Sequence, residues 1–138
     1  MRFIVPLIVG AVVVFLGGTY GAISSGHSDE ILQCLMSNGL FLRMEYTMAL
    51  TLVRKLAHLT EYAAFGMSTN WALGQNNPVK GRAVAYVLSF SLAMFDEIRQ
   101  MTLPTRTGSM VDVLIDIAGA VFGIALYELM RPRRYDRC

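Results

Sequence analysis

Charged and polar side chains recur at helical spacing inside stretches that are otherwise apolar. Arg54, Lys55, His58 and Glu61 interrupt one such stretch; Asp96, Glu97, Arg99 and Gln100 interrupt the next; Asp112 and Asp116 lie in the last. At about 100° per residue, Arg54, His58, Glu61, Phe65, Ser68 and Thr69 share one helix face. Leu52, Val53, Leu56, Leu59, Ala63 and Met67 take the other, which suits lipid. Ser89, Ala93, Asp96 and Gln100 line up on the following helix, and Asp112, Asp116, Gly119, Gly123 and Tyr127 on the last. With a rise of about 1.5 Å per residue, His58, Asp96 and Asp116 fall at one depth, roughly 9–11 Å below the outer surface.

Several chemistries are open to such a set. Arg54, Lys55 and Arg106 can hold an anionic or sugar-bearing headgroup by charge-assisted hydrogen bonds, with the Gln100 amide in the same pocket, while Glu97, Asp112 and the other carboxylates set their orientation. Histidine titrates near neutral pH and clustered carboxylates split their pKa values. His58, Glu61, Asp96 and Asp116 are therefore candidate catalytic groups for hydrolysis or transfer at a lipid-linked phosphate. No nucleophile motif, phosphate-binding glycine loop or H-E-x-x-H signature accompanies them. In a bundle the same four residues suit a hard cation better than zinc, but the expected complement is no metal and no cofactor. The bland alternative is an ion-pair network that only fixes helix packing, and buried pairs seldom repay their desolvation. A proton-coupled carrier is the remaining reading.

The elements that must position these residues follow from composition. Of 138 residues, 54% are hydrophobic and 16% charged, and the mean hydropathy is +0.47. An ordinary soluble domain carries about 25% charge, so the apolar excess points to a small membrane protein. A net charge of +2 gives no field for nucleic acid. Membrane lipids or a lipid-linked envelope intermediate are the expected partners, with a homo-oligomer left open. Charge-free residues 3–23 are long enough to span; a cleaved signal peptide ending near residue 22 is the competing reading.

Three further spans are expected at about 52–73, 83–103 and 110–130, with a short interfacial helix over residues 31–42. Turns lie at Gln75–Pro78 and Pro104–Gly108. Arg2, Lys80, Arg82, Arg131, Arg133, Arg134 and Arg137 then fall on one side, outweighing Arg43, Arg54, Lys55, Arg99 and Arg106 on the other. The positive-inside rule places both termini in the cytoplasm. The expected fold is all-α: one domain, residues 1–138, an integral membrane four-helix bundle with an outer-leaflet polar pocket. Ser109 reads as a helix cap three residues before Asp112.

The same residues carry a resemblance. Arg54-Lys55-x-x-His58-x-x-Glu61-Tyr62, followed by Asp96-Glu97-x-x-Gln100-x-x-x-Pro104-x-Arg106-x-x-Ser109-x-x-Asp112-x-x-x-Asp116-x-x-Gly119, is similar to the VanZ-like family over about residues 53 to 123. Leu59 stands where many members have Phe, and Thr105 where a Gly often precedes the Arg. The resemblance implies a bacterial inner-membrane protein of about four helices, acting in the cell envelope. It also implies a link to resistance against teicoplanin, the lipid-tailed antibiotic for which the family's namesake is known.

Overall fold

The computed structural model describes residues 2–18, 21–41, 44–102 and 109–131, without the side chains of residues 17, 18 and 21–28. Among the described residues there are five α-helices and no strand: α1 (Ile4–Gly18), α2 (Gly21–Ser37), α3 (Tyr46–Leu73), α4 (Pro78–Met101) and α5 (Met110–Met130). By length and composition α5 is the one described helix apolar enough to cross a bilayer; the apolar part of α1, Ile4–Leu16, is shorter. α3 and α4 are longer than α5, but Arg54, Lys55, Glu61, Asp96, Glu97 and Arg99 dilute their apolar character.

The helix boundaries depart from the hydropathy pattern where local chemistry sets them. The expected interfacial helix over residues 31–42 is instead α2, which begins at Gly21 and ends at Ser37. It stops there because Asn38 Nδ2 and Ser37 Oγ both donate to the Cys34 carbonyl, at 2.7 and 2.8 Å, and Gly39 takes a φ of 87°, which costs glycine nothing. α4 begins at Pro78, five residues before the expected span, because the Asn77 side chain accepts from the Lys80 N–H and Pro suits the first turn. Similarly, Ser109 caps α5 by accepting from the Val111 N–H at 3.2 Å.

α3 is the hub and touches all four other helices, most extensively α5. Its first turns pack Ala49 and Val53 against Leu32 of α2. The Tyr46 hydroxyl donates to Asp29 at 2.8 Å, a bond that pushes the phenol's pKa up. Val53, assigned above to the lipid face, is therefore covered by α2. Leu59 and Ala63 also leave that face. Their carbonyls lie where Cβ atoms on Gly119 and Gly123 of α5 would sit, and a Cβ on Gly66 would meet the Ala120 carbonyl oxygen at 2.7 Å. Small residues on both helices thus let two backbones meet.

Ion pairs and hydrogen bonds fix the directions. Lys55 of α3 meets Asp112 of α5, and Asn70 of α3 meets Glu128 of α5, so these helices run parallel. α4 runs the other way, since Arg82 also meets Glu128. The bundle has an upper end, where α3 and α5 begin and α4 finishes, and a lower end opposite. Its polarity is inverted. Thr69, Asn70, Ser89, Asp96, Glu97 and Asp116 are buried, whereas Leu7, Phe15, Val87, Leu114, Phe122 and Leu129 are exposed.

Candidate functional site

The upper end collects most of the expected site. Arg54, Lys55 and His58 on α3, Gln100 on α4 and Asp112 on α5 line one cavity with Thr51 and Ile115, and its volume is about 100 Å³. A water occupies roughly 30 Å³, so the space holds about three waters or one tetrahedral oxyanion. Whole ligands of drug size need about 300–1,000 Å³, more than this cavity holds.

The cavity's charges are unevenly matched. Lys55 Nζ lies 3.7 Å from Asp112 Oδ1, both side chains being more than a third exposed. Arg54 makes no hydrogen bond or ion pair with any described residue. Behind the cavity, His58 Nδ1 lies 3.4 Å from Asp116 Oδ1 on side chains 18% and 3% exposed. That is ion-pair range but long for a hydrogen bond, and neither atom has a hydrogen-bond partner. The Tyr62 hydroxyl, fully buried, has none either.

Asp96 and Glu97 sit apart from the opening. Asp96 accepts from Arg99 Nη2 at 2.5 Å and from Gln100 Nε2 at 2.6 Å, so its carboxylate is satisfied within α4. Glu97 accepts the Ser109 N–H and thereby ties the start of α5 to the end of α4. This anchor, with the Ser109 cap, sets Asp112 and Asp116 one and two turns down α5. Glu61 is half-buried and bonds to no described residue. Arg106 lies outside the described residues. Among those described, no three His, Cys, Asp or Glu side chains converge as a metal-ligand set.

A second polar network, at the lower end, is not among the expected site residues. Asn70, with no exposed surface, donates through Nδ2 to Glu128 Oε1 at 2.9 Å, and Glu128 Oε2 lies 3.6 Å from Arg82 Nη1. Gln75 Nε2 donates to the Tyr127 hydroxyl at 3.2 Å. Polar residues near helix ends are ordinary, so their types alone carry little signal. What could have revealed the network is the polar run Ser68-Thr69-Asn70 on the same helix as the site, one turn from its end.

Searches of curated proteins and of solved structures find no match to this chain. The model of the VanZ/LLP1 family, in contrast, matches residues 3–131, wider than the stretch of about residues 53 to 123 that carries the motif. The match takes in all five helices and both polar networks, and the chain belongs to the VanZ/LLP1 family.

Proposed function

We propose that this VanZ/LLP1 member is a multi-pass protein of the bacterial inner membrane, both termini cytoplasmic, whose upper-end cavity binds the anionic group of a lipid-linked or lipid-tailed envelope molecule in the outer leaflet. The observation that carries this reading is Arg54: a guanidinium facing a cavity of oxyanion size with no described carboxylate of its own. Arg54 is half-buried, and a bound anion would offset its partial desolvation by charge-assisted hydrogen bonds. Membrane embedding is supported by family membership, by the apolar length of α5 and by the exposed apolar side chains surrounding buried polar ones.

A purely structural network is less well supported. Lys55–Asp112, His58–Asp116 and the Ser109–Glu97 bond do tie helices together, but they leave Arg54 and Glu61 bonded to no described residue, which a network serving packing alone does not require. An enzyme acting on a lipid-linked phosphate is the second reading. It is favoured by His58 turning Nδ1 toward a buried carboxylate while lining the cavity, the arrangement by which a carboxylate orients an imidazole base.

The test is thermal unfolding of the purified protein in neutral detergent, with and without inorganic phosphate or phosphatidylglycerol. The wild type should be stabilised in a saturable way, and Arg54→Gln should lose that protection. Equal protection of both proteins would count against the cavity. In cells, Arg106→Lys should retain folded protein but lose any teicoplanin susceptibility shift, because Lys lacks the bidentate fork.

A further inference from the structure

Within that anion-binding reading, the upper cluster holds a charge imbalance that constrains what can enter it. Among the described residues, Arg54, Lys55 and Arg99 face Glu61, Asp96, Glu97, Asp112 and Asp116, two more carboxylates than cations while His58 is neutral. Were Arg106 to join them, one carboxylate would still be in excess. Buried carboxylates in excess of cations are costly until a proton or another cation reaches them. A site of this kind does not readily accept a further negative charge.

Taking the matched groups in turn isolates where compensation is needed. Asp96 is held by Arg99 and Gln100, Glu97 accepts the Ser109 N–H, and Asp112 faces Lys55. What remains around His58 is Arg54 and Glu61 on α3 and Asp116 on α5; α1 has no ionisable residue in its sequence. Arg54 is then the one cavity cation not matched to a described carboxylate, enough for a single negative charge. When an anion occupies it, Glu61 and Asp116 have His58 as the nearest source of positive charge. His58 lines the cavity, and its Nδ1 faces the Asp116 carboxylate with no hydrogen bond yet formed between them.

We infer that the cavity takes a singly charged phosphodiester together with one proton, the proton residing on His58 against Asp116. Anion binding is thereby linked to pH. With His58 protonated, Arg54 matches the ligand and His58 matches Asp116, so the anion enters without adding to the site's negative charge; as pH rises and His58 loses its proton, affinity falls by about tenfold per unit. A doubly charged phosphate monoester exceeds what Arg54 alone can match and binds more weakly. The phosphodiester can come from a lipid headgroup or from a soluble molecule; the chemistry recognised is the same.

Isothermal titration of dimethyl phosphate into the full-length protein in neutral detergent reads both parts of the inference. This probe keeps one charge from about pH 5 to about pH 9, where histidine titrates and ordinary Asp, Lys and Arg do not. Run near neutral pH in two buffers of different ionisation heat, the titrations should differ by the uptake of about one proton per anion. His58→Gln should show no uptake and a flat pH profile, whatever its affinity, and Asp116→Asn should move the wild-type pH dependence to lower pH. Equal heats in the two buffers for the wild type would overturn the proton linkage and leave the anion site standing. No binding at any pH would overturn both, and neither result depends on the variants folding. Repeating the titration in vesicles separates the sources. Loss of the signal in phosphatidylglycerol but not in a neutral glycolipid assigns the site to a lipid headgroup, and equal binding in both assigns it to a soluble phosphodiester.

Discussion

The lower end of the bundle joins three helices with an Asn, a Glu and an Arg that meet one another: Asn70 and Arg82 both reach Glu128. At the upper end, carboxylates outnumber cations, Arg54 bonds to no described residue, and His58 and Asp116 stand 3.4 Å apart without a hydrogen bond. Both ends are built mainly on the same three helices, α3, α4 and α5. The difference is charge matching. The lower network still leaves the buried Asn70 Oδ1 without a partner, but its one carboxylate faces its one cation and it holds structure, whereas a network with unmatched charges around a cavity is suited to hold something else.

The seam between the two ends offers the most severe way to break the comparison. A side chain on Gly123 would run into the Ala63 carbonyl, so Gly123→Leu should force α3 and α5 apart and disable both ends. The expected cost is about 3 kcal/mol, read as loss of monodisperse protein or a much lower melting temperature in detergent. Preserved stability would mean that α3 and α5 do not meet closely there.

Next in size, Glu128→Ala should leave the buried Asn70 amide without its acceptor and Arg82 without its carboxylate, at a cost of about 1–3 kcal/mol. Binding of a phosphate probe at the upper end should survive. A stable variant that has lost binding would reverse the roles assigned to the two ends. Smallest is Lys55→Gln. The Lys55–Asp112 pair is long and more than a third exposed, so stability should change by about 0–1 kcal/mol while phosphate affinity falls with the lost charge. An unchanged affinity would remove Lys55 from the site.

Sequence periodicity brought out the upper end because its residues share helix faces and one depth: His58, Asp96 and Asp116 are all buried or half-buried in the same region. The small-residue spacing of Gly119 and Gly123 and the Ser109 cap were also legible, since each rests on local geometry. Other features were hidden. Pairing of Arg54 with Glu61 or Asp96 suggests itself from helical position, yet the pairs formed are Lys55–Asp112, His58–Asp116 and Arg99–Asp96; rotamers and helix rotation decide these, and periodicity fixes neither. Leu59 and Ala63 read as lipid-facing because hydropathy cannot distinguish a lipid contact from a glycine on a neighbouring helix. Asn70 and Glu128 lie 58 residues apart, and no local pattern connects them. The early starts of α3 and α4 reflect caps and the cover of α2, to which a hydropathy window is blind.

The account turns on one paired measurement: the melting temperatures, in neutral detergent at neutral pH, of Glu128→Gln and Asp116→Asn. Each substitution removes one negative charge and nearly preserves shape. At the lower end it breaks a matched pair, turning an amide toward Arg82, and the melting temperature should drop by several degrees. At the upper end it relieves an excess of carboxylates, and the melting temperature should hold or rise. A drop for Asp116→Asn as large as that for Glu128→Gln would contradict the account, because it would make the upper cluster a charge-matched structural network like the lower one.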